Sequence, residues 1–222
     1  MEVWLPYGDT EVCATLDTRR LLGILRPRDA PGVDDPRAEI DRALDHPIGS
    51  ERLERIAKPG DRVSIAVDDH TRPTPSRLIL PPVLERLGDV GVDERDVTVI
   101  FACGSHRPVR DDEAARILGK EVAGRLSVMS HDCRAKDLVH VGRTSLGTDV
   151  YVNRAFAEAD VRILTGDVDL HYYAGYGGGR KSVLPGLAGY SSIQHNHRML
   201  TDPNARMGRL EGNPIHEDMT EA

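Results

Sequence analysis

Three stretches of this chain concentrate the side chains that move protons and hold anions. The first, Asp68-Asp69-His70-Thr71-Arg72-Pro73, offers two carboxylates, an imidazole and a guanidinium. The second, Ala102-Cys103-Gly104-Ser105-His106-Arg107-Pro108, adds another imidazole and another guanidinium. The third runs from Thr165-Gly166-Asp167-Val168-Asp169-Leu170-His171 to Gly175-Tyr176-Gly177-Gly178-Gly179-Arg180-Lys181-Ser182. Histidine, with an unperturbed pKa of about 6.5, gives and takes a proton near neutrality. Gly175, Gly177, Gly178 and Gly179 lack a Cβ, so their backbone can take φ > 0, approach a ligand closely and form an anion nest, for which phosphate is the natural guest. Neither common glycine-rich phosphate motif is complete. Arg180 stands where a dinucleotide fingerprint needs its third glycine, and also where a P-loop needs the glycine before Lys181-Ser182.

Such stretches need a scaffold that brings them to one edge. Val63–Val67 and Val97–Phe101 are short β-branched runs, and residues 77–87 between them carry apolar side chains at helical spacing. That pattern predicts a β-α-β unit closing right-handed in a parallel sheet. Downstream, Asp111–Leu118 reads as a helix, 126–129 and 138–141 as strands, and Val161–Leu164 as a buried strand; 181–187 is helix-like and 191–200 is a helix. Upstream, 3–5 and 12–16 are strand-like, 37–44 and 51–56 helical, Lys58-Pro59-Gly60-Asp61 a turn, and 30–36 the best loop. The expected fold is an open, mostly parallel, Rossmann-like α/β sheet with helices on both faces, built as one domain over residues 1–222.

In sheets of this kind ligands sit beyond the carboxyl ends of the strands. All three polar stretches follow predicted strands, so Asp, Arg, His and Lys are expected on one rim. Each stretch also has a plain structural use, since a strand-exit Asp before Thr or Pro commonly forms a cap or an Asx turn. Their coincidence on one edge favours a site. In the 191–200 helix, His195 and His197 are two residues apart and do not share a face, so one of them can ligate a metal that the other cannot reach. Two other readings remain open at this point: a phosphate- or nucleotide-binding module using Lys181 and Ser182, and a divalent-metal hydrolase. The second would use Asp167, Asp169 and His171, which share a face if the strand extends that far.

Composition narrows the partners. The 222 residues are 39% hydrophobic and 29% charged, within the ordinary globular range, and no apolar run approaches the roughly 18 residues of a membrane span. Lys and Arg number 29 against 36 Asp and Glu, a net charge of −7 that argues against broad nucleic-acid binding. Cys13, Cys103 and Cys133 show no CxxC spacing and no secretory signal precedes them, so a reduced, cytoplasmic setting and a small-molecule ligand are expected.

Several of these pieces resemble one family. Asp69-His70-Thr71-Arg72-Pro73, Gly104-Ser105-His106-Arg107-Pro108, and the stretch from His171 through Gly177-Gly178-Gly179-Arg180-Lys181 and Pro185-Gly186 to His197 are similar to the nickel-pincer lactate racemases and related 2-hydroxyacid racemases and epimerases. The resemblance implies a cofactor, the nickel-pincer nucleotide (pyridinium-3-thioamide-5-thiocarboxylic acid mononucleotide nickel complex), attached to Lys181 as a thioamide. It further implies that His197 ligates the nickel, that Gly177, Gly178, Gly179 and Arg180 lie against the cofactor, and that His106 and His171 serve opposite faces of a small 2-hydroxycarboxylate. Asp69 and Arg72 would line the site. The implied reaction removes the hydroxyl proton while hydride leaves carbon, then returns hydride to the other face. Family members are roughly twice as long, and Gly212-Asn213-Pro214-Ile215-His216-Glu217 resembles the segment that leads into their second domain. The chain is therefore expected to be an N-terminal domain whose partner is a C-terminal domain of the same protein.

Overall fold

The β-branched runs do build a parallel sheet, and the helices between them cover it. The computed structural model describes residues 1–8, 10–25, 28 and 30–222. These fall into two units, Met1–Asp34 and Asp35–Ala222, divided within the 30–36 stretch expected to be loop. The first unit is an antiparallel hairpin of β1 (Glu2–Tyr7) and β2 (Thr10–Thr15), followed by a 3-10 turn, Thr18–Arg20, capped by the Asp17 side chain. Val3 pairs with Ala14 and Leu5 with Val12, which places these four apolar residues on one face of the ribbon.

The second unit opens with α1 (Pro36–Asp45), which starts where Asp35 accepts from the Ala38 amide and proline occupies the first turn. The short α2 (Leu53–Ile56) leads into β3 (Val63–Val67), α3 (Ser76–Asp89), β4 (Val97–Phe101), α4 (Asp111–Leu118), α5 (Lys120–Arg125) and β5 (Ser127–Ser130). The chain continues through β6 (Val139–Arg143), β7 (Asp149–Val152), α6 (Arg154–Ala157) and β8 (Val161–Leu164). It ends with a miniature hairpin of β9 (Leu170–His171) and β10 (Gly175–Tyr176), then α7 (Tyr190–Arg198) and α8 (Pro214–Glu221).

Four strands form the parallel sheet in the order β5-β4-β3-β8. Val63 stands opposite both Val97 and Val161, so the three central strands are in step. Every residue of β3 is buried, as expected for a strand covered on both faces. Val63, Ile65 and Val67 point to one side with Val97, Val99 and Phe101, where Leu80, Val83, Leu84 and Leu87 of α3 cover them. Ala66 and Ile100 point to the other side, against Phe156 of α6 and Leu187. A third apolar cluster, including Ala174, Leu184, Ile193, Ile215 and Met219, holds α7 and α8. From β3 the chain steps outward to β4 and β5, then returns to the opposite flank of β3 as β8. That reversal opens a crevice at the carboxyl ends of the strands.

Two expectations are corrected. The 138–141 strand exists as β6, but it leaves the parallel sheet and pairs antiparallel with β7, a strand the sequence analysis did not identify. The 181–187 segment is no helix: a 3-10 turn spans Gly179–Ser182, and Pro185, which has no amide to donate, stops its continuation. Among the described residues no helix is long and apolar enough to cross a membrane. The fully buried Ile65 sits at the centre of the sheet. Ile65→Ala should lower unfolding free energy by ~2–5 kcal/mol, against less than about 0.5 kcal/mol for the exposed Glu121→Ala; urea denaturation monitored by circular dichroism measures both.

Candidate active site

The crevice deepens into a cavity of about 300 Å³. Asp69 and Arg72 reach it from the segment after β3, His106 from the segment after β4, His171, Gly177, Gly178 and Lys181 from the long segment after β8, and His197 from α7. Gly179 and Arg180 do not line it.

Asp69 and His106 form a dyad across the exits of neighbouring strands. The Asp69 carboxylate is buried, and His106 Nδ1 lies 2.7 Å from its Oδ2. A carboxylate only accepts, so Nδ1 carries the proton and Nε2 keeps its lone pair. The other oxygen accepts from the Thr71 amide at 2.9 Å and the Thr71 hydroxyl at 2.6 Å. Burial pushes the Asp69 pKa up, but the two Thr71 donors and His106 outweigh it and hold the carboxyl below its ordinary range. An ionised Asp69 orients the ring and stabilises the imidazolium that forms when Nε2 takes a proton.

The loop that carries His106 is tied at both ends. At Gly104, with φ +52°, the amide donates to the Gly186 carbonyl at 2.8 Å, and a Cβ there would lie 3.2 Å from the Pro185 carbonyl oxygen. Arg107 forks onto Glu113 at 2.8 and 2.6 Å, and Glu113 also accepts the Arg110 amide at 3.0 Å. The Arg107 guanidinium and the Arg110 amide hold Glu113 down at about 2. Arg107 is therefore a brace for His106, with its charge already engaged.

His171 is prepared differently. Its Nδ1 accepts from the Ala174 amide at 3.3 Å, so the neutral ring carries its proton on Nε2. The ring stacks on Tyr172 with centroids 4.9 Å apart and meets the edge of Tyr173 at 4.5 Å. Burial, and then the positive charges of Lys181 and Arg72, push its pKa down to about 4, which leaves it neutral at pH 7. Lys181 feels the same surroundings. Burial and the guanidiniums of Arg72 and Arg180 push its amine down to about 8, with Asp167 and Asp68 opposing. An amine in that range is a competent nucleophile near neutrality. Asp68 is itself pushed up by burial and by Asp167; it accepts from the Thr74 hydroxyl at 2.5 Å and the Asp167 amide at 3.3 Å.

His197 lines the cavity with its Nδ1 buried and without a hydrogen-bond partner, and burial and then Lys181 lower its pKa. His195, two residues earlier, turns away and bonds Thr148 Oγ1 through Nδ1 at 2.8 Å. The pair divides between two faces of α7, as the i, i+2 spacing requires.

The glycine loop departs from expectation. The Gly177 amide donates to the Asp169 carbonyl at 2.7 Å and so is not available to an anion. A Cβ on Gly178 would lie 2.7 Å from the Asp167 carbonyl oxygen, so this glycine is required by close backbone packing. Arg180 donates to the carbonyls of Ala174 at 2.9 Å and Tyr176 at 3.1 Å, lacing the loop together. It reaches the cavity through its charge alone. The P-loop reading also loses its helix, because a four-residue 3-10 turn follows the glycines. The hydrolase reading fails on geometry. β8 ends at Leu164, His171 Nδ1 is engaged by Ala174, and Asp169 accepts from the Leu170 amide at 2.7 Å. No three His, Cys, Asp or Glu side chains gather as a metal cage among the described residues.

Sequence reasoning passed over Cys103 and Tyr173, which complete the wall. Burial and then Asp69 push the Cys103 thiol up to about 11, and burial likewise raises the Tyr173 phenol, so both are protonated wall groups. Only their places next to His106 and His171 in the chain signal them.

Comparison with known proteins adds a family. The profile of the lactate racemase N-terminal domain matches residues 7–208. The lactate racemase of Lactiplantibacillus plantarum is 36% identical over 223 residues, covering 98% of this chain and 52% of its own. The lactate racemase of Thermoanaerobacterium thermosaccharolyticum is 34% identical over 220 residues, covering 97% and 51%. This chain thus spans about half the length of both relatives. The structure of the lactate racemase apoprotein from the latter organism matches with a TM-score of 0.84 at 33% identity, over 99% of this chain and 52% of that one. A Thermotoga maritima protein, 21% identical with a TM-score of 0.69 over 82% and 46%, shares the fold.

The depressed histidines set an acid limit on stability. With His171 held at about 4 in the folded protein, the unfolded chain binds its proton first as pH falls below about 6.5. Stability should therefore fall between about pH 6.5 and about pH 4, with His197 adding in the same direction. His171→Gln should make urea midpoints in that window less pH-dependent, by up to about one proton. An unchanged slope would contradict the burial of a neutral His171.

Proposed function

This chain belongs to the lactate racemase N-terminal domain family, and from that premise we propose that it is the cofactor-holding half of a racemase acting on lactate or a similar small 2-hydroxy acid. The proposed cofactor is the nickel-pincer nucleotide. Two observations fit that group: a half-buried Lys181 amine pushed down to about 8, and a half-buried imidazole, His197, whose buried Nδ1 lacks a partner. Lys181 would hold it through a thioamide and His197 through its nickel; when bound, it supplies a hydride acceptor beside the substrate carbon.

The remaining work belongs to side chains of this chain. Arg72, beside Lys181 and with Arg180 behind, suits the substrate carboxylate. His106 Nε2 takes the hydroxyl proton from one enantiomer, while Asp69 balances the imidazolium charge. His171 serves the other enantiomer. To act as a base at Nε2 its proton must shift to Nδ1, which breaks only the Ala174 contact, already long at 3.3 Å. Tyr172 and Tyr173 hold the ring in place and limit water around it. The second half found in the longer relatives is the expected partner that closes the cavity.

The reading is carried by one observation: a single cavity collects Arg72, His106, His171, Lys181 and His197 from four separated segments. It is tested on the full-length protein produced in a host with the cofactor pathway. The expected results are stoichiometric nickel, a mass adduct on Lys181 and lactate racemisation. His106→Ala and His171→Ala should each reduce racemisation by ~10²–10⁴-fold. Protein without nickel, adduct or racemisation would overturn the reading, and activity retained by either alanine variant would overturn the two-base scheme.

A further inference from the structure

The proposed reaction leaves one fully buried carboxylate unused, Asp218 of α8. Its hydrogen-bond donors are all neutral. The Thr144 hydroxyl donates to Oδ1 at 2.5 Å, and the Thr148 hydroxyl and the Asn196 amide both donate to Oδ2 at 2.8 Å. A carboxylate is costly to bury without a cation, and an apolar side chain of similar size would pack α8 at lower cost. What an apolar side chain cannot do is give direction to three bonds.

Those directions converge on α7. The Thr148 hydroxyl has a single proton, which goes to Asp218, so toward His195 it must accept, and His195 donates from Nδ1 at 2.8 Å. The Asn196 NH₂ faces two acceptors, Asp218 Oδ2 and the Ile215 carbonyl at 3.2 Å, which fixes the orientation of that amide. Consecutive residues His195 and Asn196 are thereby anchored about 100° apart around the helix axis, and two such anchors define its rotation where one would leave a hinge. The next residue is His197. Its Nδ1 has no hydrogen-bond partner and its ring meets Tyr173 edge-on with centroids 5.2 Å apart, so its direction depends on the helix that carries it and on that contact. On the same side of α8, Glu221 accepts from the amide of Ser145 at 2.7 Å and its hydroxyl at 2.6 Å, clamping the 144–148 turn that presents Thr148.

We propose that Asp218 is a positioning residue that, through Thr148 and Asn196, sets the rotation of α7 and with it the aim of His197 into the cavity. The proposal rests on the reading of His197 as a cofactor ligand, but its test needs no cofactor. In the 222-residue chain, imidazole ¹⁵N resonances report the tautomer of each histidine, and mass spectrometry of diethyl pyrocarbonate adducts reports its accessibility. Thr148→Val, which keeps shape and loses the hydroxyl, should move His195 from the Nδ1–H toward the Nε2–H tautomer. The same variant should change the His197 modification rate at least about threefold, with His106 unaffected. Thr148→Ser should restore both, and Asp218→Asn should act in the same direction as Thr148→Val. If Thr148→Val lowers the melting temperature but leaves the His197 rate and resonances unmoved, the network is a brace alone and the proposal is overturned. Should Asp218→Asn fail to fold, the Thr148 pair decides. Wild-type full-length protein that never carries nickel would sink the cofactor reading while leaving these measurements intact, so the two failures are distinguishable.

Discussion

Val67 stands opposite Phe101, and Ala66 opposite Leu164, and every functional distance in this molecule depends on that register. Parallel strands in step end at one level, so the segments that follow them emerge side by side. Asp69 and His106 are 37 positions apart in the chain, yet they meet at 2.7 Å because each lies just beyond the end of its strand. A slip of one residue would turn Val63, Ile65 and Val67 out of the α3-covered core. It would also carry Asp69 out of reach of the ring. The burial of the sheet on both faces is what makes such a slip prohibitive.

On that rim the dominant electrostatic fact is that half-buried Lys181 and His171 stand close to further positive charge. The exposed Arg72 and the half-buried Arg180 act on Lys181, whose own partial burial weakens the screening between them. The neighbouring carboxylates do not cancel them, because Asp68 is itself pushed toward its neutral form by burial and by Asp167. Two consequences share this cause: Lys181 becomes a weaker base, so more of it is free amine near neutrality, and His171 is held neutral. An anion held beside Lys181 and Arg72 would relieve the same repulsion.

The sheet and its rim were legible in the sequence because hydrophobic runs of five residues followed by polar clusters have few other uses. Val63–Val67, Val97–Phe101 and Val161–Leu164 were read with their observed limits, and Asp69, Arg72, His106, His171 and Lys181 line one cavity, whereas Arg107 and Arg180 do not. Less legible was anything decided by a distant partner. β7 is short, with alternate residues exposed, and is recognisable only beside β6. Arg107 and Arg180 look like ligands in the sequence, but their guanidiniums are taken up by Glu113 and by loop carbonyls. The glycines suggested a nest, whereas Gly177 and Gly178 serve close backbone packing against Asp167 and Asp169. Residue type identifies what a side chain can bond; only the fold reveals what has already bonded it.

His171 is a poor proton acceptor in this cavity, and the causes of its depression indicate when that ends. His171 is depressed by burial first and then by Lys181 and Arg72. Acylation of the Lys181 amine would remove its charge, and a carboxylate on Arg72 would neutralise the second. Both relieve the strain on protonated His171 while leaving the Asp69–His106 dyad untouched. A ring that is a poor proton acceptor beside those charges would thus approach the ordinary histidine range once they are removed. The first half of that change can be imitated without any ligand. Lys181→Met removes the charge and keeps most of the volume, and the His171 titration midpoint followed by NMR should rise from about 4 by roughly half a unit to one unit. A midpoint unmoved in Lys181→Met would mean that burial alone holds His171 neutral, and that loading the site cannot tune it.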